Sequence, residues 1–247
     1  MIITSRSNER VKAARALQDA KVRTREGLHL IEGDKLVSDA VASGARVKTV
    51  FALASAPVFD GVETVTVSES VLDALCVSKT PQRMCAVVET PPCACPASYP
   101  DGLLIVLDRL QDPGNLGTIL RTADALGASG VLISPDSADP FSPKALRAAM
   151  GSTYHLPLFI GEIVPELQKL SAQGFTCVCG HLQGEETLPP VQTRMALVVG
   201  NEGQGVSDET AALCVKYRLP MRGRAESLNA AVFAALLMQT LLNAMPE

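Results

Sequence analysis

Leu103-Leu104-Ile105-Val106-Leu107 is an unbroken apolar run, and Asp108-Arg109-Leu110-Gln111-Asp112-Pro113-Gly114-Asn115 follows it at once. A short continuous apolar run closed by turn residues reads as a strand buried on both faces, as inside a parallel sheet. The same signature returns downstream at 130–134, 156–160, 175–179 and 195–199, with a shorter strand-like piece at 217–219. Between these runs the spacing turns helical: about 116–126 (stopped by Gly127), 142–150, 163–173, a short helix capped by Ser207, and 227–244, the longest. Strands and helices in alternation predict a doubly wound, mainly parallel α/β sheet of five or six strands, with ligands beyond the strand C-termini.

Upstream of the run, Thr90-Pro91-Pro92-Cys93-Ala94-Cys95-Pro96-Ala97-Ser98-Tyr99-Pro100 carries four prolines and can continue neither a helix nor a central strand. It reads as a linker. Before it, helices over 6–22, 35–43 and 70–76 alternate with strands at 28–31, 47–53, 63–67 and 84–88. That pattern predicts a small α/β domain of its own. At 247 residues the chain has room for both.

The formal net charge of −4 argues against a uniformly basic, nucleic-acid-coated surface. Its distribution is uneven, however. Up to Lys35 the basic residues Arg6, Arg10, Lys12, Arg15, Lys21, Arg23, Arg25 and Lys35 outnumber five acidic ones. That local excess permits RNA, and this segment is where a phosphate backbone is expected. Aromatic residues are only 4% of the chain, which disfavours a stacking platform for single strands. The seven cysteines include C-x-C pairs at Cys93/Cys95 and Cys177/Cys179; zinc sites use wider spacing, so reduced thiols and no metal are expected. No signal peptide is evident and no apolar run reaches the ~20 residues of a membrane helix, so the expected location is the cytoplasm.

Three segments carry chemistry. The first, from Asp108 to Ala123, leaves a strand and enters a helix through Pro113-Gly114-Asn115, where Asn115 suits an N-cap and Arg121 lies within the helix. The second is Gly200-Asn201-Glu202-Gly203-Gln204-Gly205-Val206-Ser207 after a buried strand. Its glycines admit a ligand close to backbone, but G-x-x-G-x-G is neither the dinucleotide fingerprint nor a P-loop. The third, Leu219 to Val232, contains Ser227-Leu228-Asn229 at the start of an Ala-rich helix. There the polar side chains cap the helix or orient a ligand at its positive end.

In order and spacing, N-x₅-R, G-N-E-G-x-G and S-L-N resemble the signature motifs of the SpoU (TrmH-type) RNA 2′-O-methyltransferases of the knotted SPOUT superfamily, over 103–242. Ile3-Thr4-Ser5-Arg6-Ser7-Asn8 and Ile31-Glu32-Gly33 resemble the substrate-binding domain often attached in that family, which is similar to ribosomal protein L30e. The resemblance implies an L30e-like RNA-binding domain over 1–95 and an α/β-knot (trefoil) methyltransferase domain over 100–247. It implies S-adenosylmethionine as cofactor, a homodimer, and RNA as substrate, ribosomal RNA ahead of transfer RNA. By the same resemblance Arg121, Asn115, Glu202, Ser227 and Asn229 form the catalytic set. Val198, Gly200, Asn201, Gly203, Leu219, Met221, Leu228 and Asn229 hold the cofactor, with backbone at Gly200, Leu219 and Leu228 on its adenosine. Asn115 and Glu202 are expected to position Arg121 and the ribose. Alternatives are a transfer-RNA 2′-O-methyltransferase, a base-directed enzyme of the superfamily, and a non-catalytic RNA-binding protein of the same fold. The glycine spacing disfavours a NAD-dependent oxidoreductase.

Overall fold

The computed structural model describes residues 2–78 and 82–246, and these fall into two units. One consists of residues up to Pro92 together with Phe141–Tyr154; the other of Cys93–Pro140 and His155 onward. In the first unit, two helices stand where one was expected over 6–22: α1 (Glu9–Ala16) and α2 (Ala20–Glu26). The break has a local cause. The Asp19 carboxylate accepts hydrogen bonds from the N–H groups of Lys21 (2.8 Å) and Val22 (3.4 Å), so it caps a new helix. Arg23, buried, donates to the carbonyls of Leu17 (3.0 Å) and Gln18 (2.9 Å) left over by α1. One of the eight cations expected to face RNA is therefore spent inside the fold, and Arg10, Lys12 and Arg25 pair with Glu63, Glu9 and Glu26.

The rest of this unit runs β1 (Leu28–Glu32), α3 (Asp34–Ala42), β2 (Val47–Ala52), β3 (Thr64–Thr66), α4 (Glu69–Leu75) and β4 (Met84–Glu89). The sheet order is β1-β4-β2-β3, with β4 antiparallel to both neighbours and β2 parallel to β3. Val11, Ala14 and Leu17 of the first helical stretch pack against Leu72, Leu75, Phe51 and Val65 to form its core.

After the prolines come β5 (Gly102–Leu107), α5 (Pro113–Leu126), β6 (Gly130–Ile133), α6 (Pro143–Ala149), a 3₁₀ turn (Ser152–Tyr154), β7 (Leu158–Ile160) and α7 (Ile163–Ala172). Then follow β8 (Thr176–Glu185), β9 (Arg194–Val199), α8 (Asp208–Ala211), β10 (Val215–Tyr217) and α9 (Ala230–Ala244). The six strands form one sheet in the order β10-β8-β9-β5-β6-β7, and every neighbouring pair is parallel. Leu103, Leu104, Ile105, Val106 and Leu107 are wholly buried, as an uninterrupted apolar strand demands. From β5 the chain steps outward to β6 and β7, then returns to lay β8 on the other side and β9 between β8 and β5. The strand order thus reverses between β5 and β9, which is where a doubly wound sheet opens its ligand crevice.

The segment Phe141–Tyr154 packs with the first unit through α6 and β1. Arg147 of α6 donates to Glu32 (2.8 Å), whose carboxylate also accepts from the N–H groups of Val77 (2.7 Å) and Ser78 (3.3 Å). His29 of β1, fully buried, lies against the Phe141 ring and hydrogen-bonds Tyr154 Oη (2.7 Å) and Thr90 Oγ1 (3.0 Å). Burial, helped by the positive charge of Arg23, pushes the His29 pKa down to about 3. The unfolded chain takes up a proton here near pH 6.5 while the folded one does not. The neutral ring's contribution is therefore complete above about pH 6.5 and is lost as pH falls towards about 3. Thermal midpoints are expected to decline steeply over that window, and His29→Gln to flatten the decline while lowering the midpoint at pH 8. An unchanged slope in the variant would assign the acid sensitivity elsewhere.

Candidate active site

Two loops meet at the strand-order reversal: one follows β5, the other follows β9. The β5 loop enters α5 through Asp112, whose carboxylate accepts from Asn115 N–H (2.8 Å), with Pro113 in the first turn. Proline's fixed φ suits that position. The helix starts three residues earlier than expected, and Asp112, not Asn115, is its cap. The Asn115 side chain is thereby released for other work.

The β9 loop closes on itself. Asn201 and Gly205 exchange two backbone hydrogen bonds (3.0 and 2.8 Å), while Asn201 Oδ1 accepts from the N–H groups of Gly203 (2.9 Å) and Gln204 (3.0 Å). A Cβ on Gly200 would stand 2.2 Å from the Gly205 carbonyl carbon and 2.3 Å from Val206 N. No residue with a side chain fits there unless backbone moves.

From this turn Glu202 reaches across to the β5 loop. Its carboxylate accepts from the N–H groups of Gln111 (3.0 Å) and Asp112 (2.9 Å) and from the Asn115 side-chain amide (3.0 Å). Asn115 Oδ1 in turn accepts from Asn229 Nδ2 (2.9 Å), and Asn229 Oδ1 caps α9 at Ala231 (2.9 Å) and Val232 (3.3 Å). The helix expected from 227 therefore begins at Ala230, because Asn229 is the residue that satisfies its first free N–H groups. Glu202, Asn115 and Asn229 make one continuous chain tying three distant segments together.

Partial burial opposes ionisation of Glu202, but the Gln111, Asn115 and Asp112 donors outweigh it and hold the carboxyl below its usual range. A depressed folded pKa means the clamp is intact above the unfolded carboxyl's pKa and is lost as pH falls through the lower, folded value. Glu202→Gln places an NH₂ against donors that need an acceptor. Hydrogen bonds to a charged group contribute about 1.5–3 kcal/mol, so turnover is expected to fall by about 10–100-fold, with little pH dependence above pH 5. Steady-state assays across pH 4–8 check both.

A cleft of about 470 Å³ opens beside this chain. Of the residues picked from sequence, Gly200, Asn201, Glu202, Gly203, Leu219, Met221, Ser227 and Leu228 line it. Asn115 and Asn229 do not line it and are tied to it through the hydrogen bonds that lead to Glu202. Val198 is fully buried inside β9 and faces no cleft. Arg121 is exposed on α5, roughly 9 Å along the helix axis from Asn115, and makes no hydrogen bond or ion pair among the described residues. Glu202 therefore contacts Asn115 and not Arg121. The cleft also takes in Gly180, His181 and Gln183 from β8, and Phe233 of α9. Sequence reasoning passed over the first three because it ended the strand at 179, whereas β8 runs on to Glu185; Gly180 sits within it where a Cβ would meet the Phe233 ring at 2.5 Å. Among the described residues no group of three or more His, Cys, Asp or Glu side chains converges as a metal site. Nor is any described helix long and apolar enough to cross a membrane.

Residues 102–239 match the SpoU rRNA Methylase family, and residues 8–86 match the MRM3-like substrate binding domain. The chain belongs to the SpoU rRNA methylase family. This SpoU family member is 36% identical to the 23S rRNA (guanosine(2553)-2′-O)-methyltransferase RlmP of Bacillus subtilis, over 95% of this chain and 96% of the relative. It is 30% identical to the 23S rRNA (uridine(2479)-2′-O)-methyltransferase of Streptomyces viridochromogenes, over 93% and 87% of the two chains. The crystal structure of an AdoMet-bound rRNA methyltransferase from Sinorhizobium meliloti superposes with a TM-score of 0.90 at 32% identity, covering 100% of this chain and 99% of that one.

Proposed function

We propose that this SpoU family member transfers a methyl group from S-adenosylmethionine to a ribose 2′-hydroxyl of RNA, ribosomal RNA in particular. The observation that carries the reading is the Glu202–Asn115–Asn229 chain, which ties the first motif to the two motifs whose residues line one cleft. The cleft suits the cofactor. Its volume falls within the ~300–1,000 Å³ of pockets that enclose small ligands. Apolar Val199, Leu219, Leu228 and Phe233 offer walls for an adenine ring, and backbone of the Gly200 turn offers polar edges. When bound, S-adenosylmethionine supplies an electrophilic methyl group.

This chain's own residues then align the acceptor and raise its reactivity. A guanidinium holds its proton firmly at neutral pH and is a poor base there. Arg121 instead stabilises the oxyanion that develops on the ribose as its proton leaves, with the RNA phosphate or water as acceptor. Asn115 and Glu202 hold the two loops in register, while Asn229 and Ser227 order the cofactor loop. Two full-length relatives are named for a guanosine and a uridine, which supports a shared site that addresses the ribose and leaves base choice to other surfaces.

The same reading has the chain acting as a cytoplasmic homodimer. Val232 and Leu236, one turn apart on α9 and about half exposed, are suited to a partner's surface. The test is transfer of labelled methyl from S-adenosylmethionine to ribosomal RNA, followed by alkaline hydrolysis. Label in alkali-resistant dinucleotides is expected. Label in mononucleotides would make the enzyme base-directed, and label on transfer RNA alone would change the substrate. Sedimentation at micromolar protein tests the dimer.

A further inference from the structure

Arg109 follows β5 with φ of 57°, a left-handed conformation that residues with a Cβ adopt at a cost. Everything around it enforces that shape. Its N–H donates to Ser134 Oγ (2.8 Å), and its carbonyl accepts from Asn201 Nδ2 (3.0 Å) and Gln111 Nε2 (3.1 Å). The guanidinium then spreads over three acceptors: Asp108 Oδ1 (3.2 Å), Gln204 Oε1 (3.3 Å) and the Gly205 carbonyl (3.5 Å). Buried Asp108 uses its other oxygen to accept from Ser207 N–H (3.0 Å). The dipeptide thus holds the Gly200 turn at its entry (Asn201), its tip (Gln204 and Gly205) and its exit (Ser207). Glycine would satisfy the backbone at this position more cheaply. The presence of arginine is accounted for by what its fork reaches.

We infer that Arg109 is a positioning residue which clamps the tip of the Gly200 turn and so sets the affinity of the cleft for S-adenosylmethionine. The inference rests on the function proposed above. Arg109 acts through the turn and touches no reacting atom.

Arg109→Gly relieves the backbone strain and removes the fork, which separates the two roles. It is expected to weaken S-adenosylmethionine binding about tenfold by calorimetry and to raise the cofactor KM in parallel. The kcat at saturating cofactor should stay within about threefold, with a thermal midpoint within a few degrees. In the cofactor-free protein, hydrogen exchange at the Gly205 amide, now bonded to the Asn201 carbonyl, should speed up about tenfold. Arg109→Lys should not restore binding, because a point charge beside Asp108 cannot span to Gln204 and Gly205. Adding Gln204→Ala to Arg109→Gly should cost less than twofold more, since both remove one bridge. A cofactor Kd within twofold of wild type, with unchanged exchange at Gly205, overturns the inference. Should Arg109→Gly fail to fold, Gln204→Ala removes the shorter of the fork's two contacts with the turn and leaves only the 3.5 Å contact to the Gly205 carbonyl; a loss of affinity is expected, and wild-type affinity in that variant overturns the inference equally. If wild-type protein binds no S-adenosylmethionine, the proposed function fails. Unchanged Gly205 exchange in Arg109→Gly would sink the clamp alone.

Discussion

Arg121→Ala is expected to lower methyl transfer to RNA by about 10²–10³-fold, the usual cost of removing one preorganised oxyanion stabiliser. Stability should barely register the change. The side chain is exposed and has no hydrogen-bond or ion-pair partner among the described residues, and such surface truncations stay within about ±0.5 kcal/mol. Cofactor affinity should also hold, because the residue does not line the cleft. A large loss of turnover with Tm and Kd both preserved has few explanations other than contact with the substrate. Arg121→Lys keeps the charge but loses the planar fork and should recover only part of the activity. The pH profile separates the two chemical roles. A guanidinium acting as base would give rates that climb without a plateau towards high pH, whereas an electrostatic role leaves the profile to other groups. Calorimetry beside a tritiated-methyl assay supplies the measurements; turnover within threefold of wild type would remove Arg121 from the mechanism.

Gly200→Ala is expected to have the next largest effect, by a different route. A Cβ placed 2.2 Å from backbone carbon cannot be absorbed by rotating a side chain, so the turn between Asn201 and Gly205 must open. Forced overpacking of this kind costs about 1–3 kcal/mol. If that strain is relieved by deforming the cleft wall, cofactor affinity falls by about 10–10²-fold. Because Glu202 hangs from the same turn, its bonds to Gln111, Asp112 and Asn115 loosen together, and kcat should drop as well as KM rise. This outcome contrasts with Arg109→Gly, where KM alone moves. Binding as tight as wild type would mean that the turn yields without reshaping the cleft.

Much of the fold was legible because its signals are local. The unbroken run at Leu103–Leu107 announces a strand with both faces buried, and it lies between β9 and β6. Gly127 at the end of α5 has φ of 77°, the left-handed stop its position suggested. Local reasoning faltered where two residues could do the same job. Asn115 has the residue type of a cap, yet Asp112, directly before Pro113, is the one that caps α5. The Asn115 side chain, not needed as a cap, instead bonds Glu202 and Asn229, partners 87 and 114 residues away. Likewise Arg23 reads in sequence as one more surface cation, yet it is buried to close the carbonyls left by a helix break.

Residue order alone therefore determined most of the strands and helices and that the sheet of the second unit is parallel, and it marked three segments as the ones to compare with known chemistry. Those properties follow from periodicity, from proline and glycine geometry, and from capping, all of which act over a few residues. Tertiary structure alone decided which polar side chains meet: Glu202 with Asn115, Asn115 with Asn229, and Arg109 with Gln204 and Gly205. The reason is that a hydrogen bond requires atoms about 3 Å apart. Only the crossing of the chain from β5 to the far edge and back to β9 brings these loops within that distance.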